Sequence, residues 1–587
     1  MKDFLKYTLA TVTGLIIAGV IFTIISISAI VGMIASLSPS TPSALQDNSI
    51  LHIKLKGEMT ELLQEDPLSM FLEEEFPNIS LQQITSAIET AKNSPEIKGI
   101  YIEAGALAAS PAALQEIRNA LTDFKESGKF IAAYADNYTQ GTYYLCSVAD
   151  HVMLNPQGNI AWTGMNAETM FYKDLLDKLG IEMQIFKVGT YKSAVEPFTT
   201  TQMSEANREQ TKAYLQSIWT QIVNGISESR NIPADSLNAY ADNLLAYASP
   251  ETFTANNMVD TLIYRNDAIL YVNNLYNSKQ QIFKPVTPSE IAAINSLEIP
   301  KSLPTIAVYY AEGGIDDSES DLEFGIHAPL VCKDLRSLAE DDNVKAVVLR
   351  VNSPGGSAYG SEQIWHEIMN LKAHKPVIVS MGGYAASGGY YISCAANSII
   401  AEPTTITGSI GIFGMIPNIQ GLTNKIGIHV DGVSTNQHAG GASLFRPLDA
   451  PNKAAMQQMI ERGYALFVKR CAEGRQMSEQ DIRNIAEGRV WTGEMAVKNG
   501  LVDSLGDLNT AIDIAAQKAG LDNYDISNYP IPEDLFTKIL NGKFSSFAES
   551  HIRSFLGQDY ESLRFFKRIQ QQAPVQARVP YDIQFNL

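Results

Sequence analysis

The sequence predicts an α/β protein that contains two tandem copies of one domain, preceded by a single N-terminal transmembrane helix. Three observations support this prediction: an apolar run near the start, an internal repeat with an offset of 247 residues, and strands that alternate with helices in each copy. We divide the chain into a membrane anchor (1–45), a first repeat (46–300), a second repeat (301–540) and a C-terminal tail (541–587).

Length and composition limit the classes of protein that this chain can belong to. At about 150 residues per domain, 587 residues predict three or four domains, or two large domains with extra segments. The chain is 45% hydrophobic and 18% charged, which is typical of folded proteins. A formal net charge of -20 repels phosphate backbones, so we expect no nucleic-acid partner. The four cysteines form no CxxC pair, so neither a zinc site nor a disulfide framework is expected.

The first predicted element is the apolar run Leu9–Leu37, which follows Lys2 and Lys6. As a helix it would reach about 43 Å, more than the roughly 30 Å hydrocarbon core of a bilayer, so we predict an uncleaved anchor. A long cleavable signal peptide is the alternative, because small residues are common around Ala35–Ser43. Since lysines precede the run, the positive-inside rule places the body of the protein outside the cytoplasm, which in a bacterium is the periplasm.

The internal repeat aligns Gly141–Asp150 with Gly388–Asn397 and, at the same offset, Ile97–Glu103 with Val344–Arg350. Apolar strand positions and turn residues stay in phase between the two copies. A period of this length indicates a duplicated domain and not a solenoid.

Within the second copy, strands and helices are predicted in alternation. The predicted strands are Thr305–Gly313, Val344–Asn352 and Pro376–Met381. A helix is predicted at Gly360–Lys372, and another at Ala385–Ala396 after Gly382-Gly383 breaks the third strand. This order implies parallel βαβ units.

Ser387 is the first candidate for chemistry, because it lies between a predicted strand and a helix start, among small neighbours that leave its hydroxyl unshielded. The free N–H groups and the dipole of a helix start favour an oxyanion beside that hydroxyl. The alternative is a small-residue helix packed tightly on a sheet, with the serine as filler. In the first copy Gln140 stands at the equivalent position, so the fold itself does not require the serine.

Two further segments bear on the chemistry. The turn Asn352–Ser357 contains two glycines that can present backbone N–H donors, and it lacks the Gly-Lys-Ser/Thr ending of a phosphate loop. None of the eight histidines stands in a recognisable catalytic context, which leaves Lys192 as a possible base for Ser387. A lysine with a pKa near 10.4 is almost entirely protonated at pH 7, so burial would have to lower its pKa by destabilising the ammonium by about 3–5 kcal/mol. Spacing alone favours the interpretation of Lys192 as a surface lysine.

Four separated motifs, GTYKSAVEPF, NSPGGSAYGSE, GGYAASGGYYISCAA and TGSIGIFG, resemble those of the signal peptide peptidase A (protease IV) family in its long two-domain form. This family belongs to the superfamily of Clp protease and crotonase. The resemblance covers both copies and most of the chain after the anchor. It implies two Clp/crotonase-like domains (a ββα superhelix).

The resemblance also implies the roles of five residues. Ser387 would be the nucleophile and Lys192 the general base of a serine–lysine dyad, each from a different copy. Ser409 matches the serine that orients the lysine, and the backbone N–H groups of Gly356 and Gly388 would hold the oxyanion. The first-copy turn at 105–110 departs from the Gly-Gly pattern, so a second active site is not expected.

The activity that the resemblance implies is that of a membrane-anchored serine endopeptidase. Its substrates would be hydrophobic peptides, mainly the remnants of cleaved signal peptides, and it would need neither cofactor nor metal. The implied assembly is a homotetramer on the periplasmic side of the bacterial inner membrane. Two alternatives remain open at this point: a crotonase-like enzyme that acts on acyl-CoA, and a non-catalytic membrane scaffold with the same fold. The tail, rich in phenylalanine and arginine, either touches lipid or packs against a neighbouring subunit.

Overall fold

The computed structural model describes residues 13–14, 17, 45–63, 77–275, 283–296, 303–319, 324–441, 443–531 and 575–579. The predicted anchor helix at Leu9–Leu37 lies almost wholly outside these ranges, as do the phenylalanines and arginines of the tail. No helix within the described ranges combines the length and the apolar character needed to cross a bilayer.

The first repeat is built around a parallel sheet of seven strands, in the order β2-β1-β3-β4-β5-β7, with β8 beside β1. The strands in this part of the chain are β1 (Ser49–Thr60), β2 (Asn78–Ser80), β3 (Ile97–Ala108), β4 (Phe130–Ala135), β5 (His151–Leu154), β6 (Glu182–Lys187), β7 (Thr261–Leu262) and β8 (Lys284–Val286). The helices are α1 (Leu81–Asn93), α2 (Pro111–Lys125), α3 (Gln140–Cys146), α4 (Lys173–Leu179), α5 (Glu196–Thr199), α6 (Glu205–Arg230), α7 (Ala234–Asp242), α8 (Pro250–Ala255), α9 (Arg265–Leu275) and α10 (Pro288–Asn295), with a 3₁₀ turn at Leu245–Tyr247.

The second repeat has a corresponding sheet in the order β18-β16-β14-β12-β9-β20, in which β15 links β14 to β19. Its strands are β9 (Thr305–Glu312), β10 (Ile315–Asp316), β11 (Ile326–His327), β12 (Val344–Ser353), β13 (Gly355–Ser357), β14 (Val377–Ala386), β15 (Ser398–Ala401), β16 (Ile406–Gly408), β17 (Phe413–Asn418), β18 (Val490–Thr492), β19 (Ser504–Leu505) and β20 (Asp525–Tyr529), and β21 (Val575–Arg578) follows in the tail. The helices are α11 (Ala328–Glu340), α12 (Ala358–Lys372), α13 (Gly388–Ser393), α14 (Gln420–Lys425), α15 (Ala450–Arg475), α16 (Glu479–Ile485), α17 (Gly493–Lys498) and α18 (Leu508–Ala519).

The duplication predicted from the sequence is confirmed element by element. Helices α2 and α12 both have 15 residues and begin 247 residues apart, at Pro111 and Ala358. Helices α6 and α15 both have 26 residues and begin at Glu205 and Ala450, so the offset has fallen by two residues. Side chains from the helices and the sheet of each repeat pack into a large apolar cluster, and the cluster of the first repeat also includes Ala386, Ile406 and Val490 of the second.

The prediction that Gly382-Gly383 breaks a strand is wrong. Strand β14 continues to Ala386, and helix α13 runs from Gly388 to Ser393 and not from 385 to 396. A side chain at Gly382 would collide with the Glu61 carboxylate, and one at Gly383 would come within 2.6 Å of the Ser110 side chain. Both glycines therefore allow the first repeat to pack closely on a continuous strand of the second.

A third sheet joins segments from distant parts of the chain in the order β11-β10-β13-β21-β17-β6. Strand β6 of the first repeat pairs antiparallel with β17 of the second, from Phe413 opposite Lys187 to Asn418 opposite Glu182. Strand β21 lies between β13 and β17 and is antiparallel to both. Through this pairing the end of β6 lies against the second repeat. The loop that contains Lys192 follows β6 directly.

A buried charge cluster also connects the two repeats. The Arg350 guanidinium, 1% exposed, donates to the Glu61 carboxylate at 2.9 Å and to the Glu116 carboxylate at 2.7 Å, both in the first repeat. It also donates to the Ser380 hydroxyl at 2.9 Å. Burial raises the pKa of the nearby Glu402 carboxyl to about 8, with a further contribution from the charge of Glu116. Burial also raises the pKa of the Glu116 carboxyl, and the charge of Arg350 offsets part of that increase.

We expect Arg350→Met to lower the free energy of unfolding by about 3–5 kcal/mol, because two buried carboxylates lose their hydrogen-bonded cation. Denaturant unfolding of the full chain measures this loss. Arg336→Met is the matched control, since the Arg336 side chain is 59% exposed and lies 3.5 Å from Glu367. Its effect should stay within about 0.5 kcal/mol. Equal losses in the two variants would contradict the importance of the cluster.

Candidate active site

Ser387 occupies a constrained backbone position between β14 and α13. Its φ of 55° and ψ of -111° are unusual for a residue other than glycine. Its N–H donates to the Gly408 carbonyl at 2.8 Å, and its carbonyl accepts from the Tyr391 N–H at 2.8 Å. These bonds fix the direction in which the side chain leaves the strand. The expectation of an unshielded hydroxyl is wrong: Ser387 is 0% exposed, and the Lys192 amine lies against its hydroxyl.

Lys192 follows β6 and reaches into the second repeat. Its segment is held there by the Tyr191 N–H, which donates to the Glu487 carbonyl at 2.9 Å. The neighbouring residues Ala194 and Val195 pack against Phe413 in a small apolar cluster. Lys192 is 1% exposed, so the interpretation of this residue as a surface lysine is wrong.

The structure brings Ser387, Lys192 and Ser409 together. Lys192 Nζ lies 2.8 Å from Ser387 Oγ and 3.1 Å from Ser409 Oγ, both at hydrogen-bonding distance. It also donates to the Ser409 carbonyl oxygen at 3.2 Å. The Ser387 hydroxyl has a weaker contact of 3.5 Å with the Gly411 carbonyl. A single amine therefore contacts the hydroxyl of Ser387 and a second residue, Ser409, that restrains the amine.

Burial lowers the pKa of Lys192 well below its usual value of 10.5. Its Nζ contacts hydroxyl and carbonyl oxygens, which cannot compensate a positive charge as a carboxylate would. An amine taken out of water without a counter-ion loses its proton more readily. The neutral form of Lys192, which has a lone pair available for the Ser387 proton, is thus favoured.

The two predicted oxyanion donors belong to backbone segments that lie against each other. Gly388 is the first residue of α13, and Gly356 is the middle residue of β13. A Cβ atom built on Gly355 would lie 2.7 Å from the Gly388 amide nitrogen, so β13 and the start of α13 are in close contact. The Gly388 N–H is part of this contact, and the Gly356 N–H belongs to the residue next to it.

The equivalent position in the first repeat contains a side-chain amide. Gln140 Oε1 accepts from the N–H groups of Thr163 and Gly164 at 3.1 and 3.0 Å, and its Nε2 donates to the Gly164 carbonyl at 3.2 Å. The residue is 2% exposed. Gln140 therefore fastens the loop that corresponds to the Ser409–Gly411 region of the second repeat.

Sequence reasoning missed Gln210, which holds the lysine loop in place. Its side-chain amide donates to the Tyr191 carbonyl at 3.0 Å and to the Ser193 hydroxyl at 3.2 Å, on either side of Lys192. Its oxygen accepts from the Val490 N–H of the second repeat at 3.2 Å. A glutamine on a long amphipathic helix carries no sequence signal for such a role. Strand β21, which lies between β13 and β17, was missed as well.

Comparisons with known proteins agree with this geometry. The model of peptidase family S49 matches the chain twice, over residues 123–279 and 369–522, and a Clp protease model matches residues 326–406. Protease 4 of Haemophilus influenzae is 40% identical over 495 residues, which cover 81% of this chain and 80% of that protein. The chain belongs to peptidase family S49. The first S49 match contains Lys192, and the second contains Ser387 and Ser409.

Other members of family S49 support the same assignment. Protease 4 of Salmonella typhi is 37% identical over 489 residues, covering 81% of this chain and 78% of that protein. The chloroplastic serine protease SPPA of Arabidopsis thaliana is 30% identical over 485 residues, covering 81% and 70%. This S49 chain is therefore a serine peptidase with a Clp-like fold. Its family sets aside the acyl-CoA and scaffold alternatives.

We expect Gln140→Ala to destabilise this S49 peptidase by about 1–3 kcal/mol, because two buried N–H groups lose their acceptor. Peptide hydrolysis should be unchanged, since all the bonds of Gln140 are within the first repeat. Thermal unfolding and a peptidase assay on the same preparation test both statements. A loss of turnover at full folding would show that the first repeat contributes directly to the chemistry.

Proposed function

We propose that this serine peptidase cleaves hydrophobic peptides, among them the remnants of cleaved signal peptides, with Ser387 as nucleophile and Lys192 as general base. The observation that carries the proposal is the 2.8 Å contact between the buried Lys192 amine and the Ser387 hydroxyl. A lysine with a lowered pKa next to a serine at a strand-to-helix turn is the arrangement that an activated hydroxyl nucleophile requires.

Catalysis begins when neutral Lys192 takes the Ser387 proton while Oγ attacks the carbonyl carbon of a substrate peptide bond. The tetrahedral oxyanion is stabilised by the backbone N–H groups of Gly356 and Gly388. Lys192 then gives the proton to the leaving amine, and an acyl-enzyme remains on Ser387. Water, deprotonated by Lys192, hydrolyses this ester and restores the free hydroxyl.

Ser409 acts as a positioning residue in this mechanism. Its hydroxyl and its carbonyl oxygen both lie within 3.2 Å of Lys192 Nζ, so two of the amine's hydrogens have fixed partners. The remaining lone pair is then directed toward Ser387 Oγ. An amine without such restraints would sample several rotamers and meet the serine less often.

The substrate class and the cellular setting belong to the same proposal. Ile410 and Ile412 flank the Gly411 carbonyl that Ser387 Oγ approaches, and they belong with Ile315 to the apolar cluster of the second repeat, which supports a preference for hydrophobic segments. The apolar run Leu9–Leu37 supports a single-pass anchor, with the catalytic repeats on the periplasmic side of the bacterial inner membrane. We propose a homotetramer, as the family resemblance implies. Such an enzyme would meet signal peptide remnants as they leave the bilayer.

Labelling with a fluorophosphonate tests the nucleophile directly. The reagent should modify the wild-type chain at Ser387 and leave Ser387→Ala unmodified, with the modified peptide identified by mass spectrometry. Modification at another serine, or equal labelling of the two proteins, would overturn the assignment.

We expect Ser387→Ala and Lys192→Ala each to lower the rate of hydrolysis of a hydrophobic peptide by about a thousandfold or more, because the two residues act as a unit. Ser337→Ala and Lys469→Ala are matched controls on exposed surfaces. Circular dichroism should show that all four variants are folded. Near-normal turnover of folded Lys192→Ala would remove Lys192 from the mechanism.

The pH dependence follows from the lowered pKa of Lys192. Below that pKa the amine is an ammonium and cannot accept the Ser387 proton, so kcat/KM should rise as pH increases through it and then level off well below pH 10.5. Rates measured between pH 5 and 10 give the profile, and Lys469→Ala should reproduce it. A flat profile, or one that rises only near pH 10.5, would contradict a neutral base at physiological pH.

A further inference from the structure

A bulge in strand β14 precedes the nucleophile. Val351 of β12 pairs with Met381 of β14, and the next pair of this ladder joins Ser353 to Ala385. Across the same interval the chain therefore advances two residues in β12 and four in β14. Extra residues in one strand bend it and change the direction of the side chains that follow. Ser387 stands two residues beyond Ala385, so the bulge affects where its hydroxyl points.

The side chain of Asn352 fills this bulge. A Cβ atom on Gly382 would lie 3.2 Å from Asn352 Cβ, and one on Gly383 would lie 3.4 Å from Asn352 Oδ1. Asn352 Oδ1 also accepts a hydrogen bond from the Tyr384 N–H at 3.1 Å. The Asn352 amide thus joins β12 to the irregular part of β14.

The main chain of Asn352 leads into the oxyanion turn. The Asn352 carbonyl accepts from the Gly313 N–H at 2.9 Å, which fixes the end of β12 beside the end of β9. Gly356 follows four positions later in the chain. One residue therefore connects two parts of the site, because its main chain continues to Gly356 while its side chain holds the strand that ends before Ser387.

Glu312, at the end of β9, holds the Asn352 side chain. Asn352 Nδ2 donates to Glu312 Oε1 at 3.1 Å. The Glu61 N–H, which belongs to the first repeat, donates to the two oxygens of the same carboxyl group at 3.2 and 3.1 Å. Glu312 therefore connects the first repeat, which supplies Lys192, to the side chain that fills the bulge.

The Glu312 carboxyl is mostly neutral at pH 7. Burial raises the pKa of Glu312 to about 8, with a further contribution from the charge of Glu61. A neutral carboxyl group and a glutamine amide have nearly the same shape, and both contain an oxygen that accepts hydrogen bonds. Glu312→Gln is therefore a conservative replacement at this position.

The first repeat differs at the equivalent point. At the offset of 247 residues, Gly105 stands where the second repeat has Asn352. Strands β3 and β4 pair in continuous register over Gly99–Ala104. The asparagine and the bulge thus occur together in the repeat that carries the nucleophile.

We propose that Asn352 and Glu312 are positioning residues for peptide hydrolysis, a proposal that rests on the proposed function of the site. Asn352 fills the bulge and so sets the spacing between Ser387 and Gly356. Glu312 acts through Asn352 and ties this spacing to the first repeat. Loss of either side chain lowers kcat more than it raises KM, because a bound peptide then meets a misplaced nucleophile.

Steady-state kinetics on a hydrophobic peptide test this proposal, with rates corrected for the folded fraction measured by circular dichroism. Asn352→Ala should lower kcat by about a hundredfold and Glu312→Ala by about tenfold, with KM changed by less than about twofold. Glu312→Gln should keep about half or more of the wild-type kcat, because it retains an acceptor for the Asn352 amide. A change confined to KM, or equal losses in Glu312→Gln and Glu312→Ala, would overturn the proposal.

Asn370→Ala is the matched control, since exposed Asn370 donates to the Glu367 carboxylate at 3.2 Å on α12. It should leave kcat and KM at the wild-type values. If Asn352→Ala does not fold, the comparison of Glu312→Ala with Glu312→Gln still decides the outcome.

A double variant tests whether Glu312 acts through Asn352. Asn352→Ala combined with Glu312→Ala should have the kcat of Asn352→Ala alone to within about twofold, because the second change removes a support for an amide that is already gone. Losses that multiply, to about a thousandfold, would show that Glu312 acts independently and would contradict the proposed route.

Two further outcomes separate failure of this proposal from failure of the proposed function. If Ser387→Ala loses both hydrolysis and fluorophosphonate labelling while folded Asn352→Ala keeps the wild-type kcat, the positioning role is wrong and the proposed function stands. If the wild-type chain neither hydrolyses the peptide nor reacts with the reagent, the proposed function fails, and the positioning role fails with it.

Discussion

The chemistry of this protein depends on one contact between two repeats: a desolvated lysine amine against a serine hydroxyl. Lys192 comes from the first repeat and Ser387 from the second, 195 residues apart in the chain. The contact requires that the lysine be buried without a carboxylate partner, since a nearby negative charge would hold the proton on the amine. The third sheet, the lysine loop and Gln210 all serve to bring the uncharged amine to this point.

The two repeats have kept the same fold while dividing the parts of the site between them. Where the second repeat has Ser387, the first has Gln140, whose side-chain amide holds a loop of the first repeat. The first repeat instead supplies Lys192 through the segment after β6. This division explains why the interface between the repeats is so tightly packed at Gly382 and Gly383 and why Arg350 of one repeat pairs with carboxylates of the other. A small shift between the repeats would separate the base from the nucleophile.

Much of the fold was predictable because its signals are local. Buried parallel strands read as apolar runs, and helix spacing identified most of α12, so the repeat and its βαβ order could be derived from the sequence. The strand break at Gly382-Gly383 was predicted wrongly because these glycines leave room for the neighbouring repeat and do not form a turn. The burial of Lys192 could not be derived at all, since its partners Ser387 and Ser409 are 195 and 217 residues away. Elimination of the histidines left Lys192 as a possible base for Ser387, and only the family resemblance, carried by whole motifs, added Ser409.

The most direct test of the central claim is the protonation state of Lys192 in the resting protein. Lysine labelled with ¹³C at Cε, titrated by NMR from pH 6 to 11, reports this state, and the Lys192 resonance is the one that disappears in Lys192→Arg. The account predicts that this resonance titrates with a pKa well below 10.5. A Lys192 pKa at or above 10.5 would contradict it.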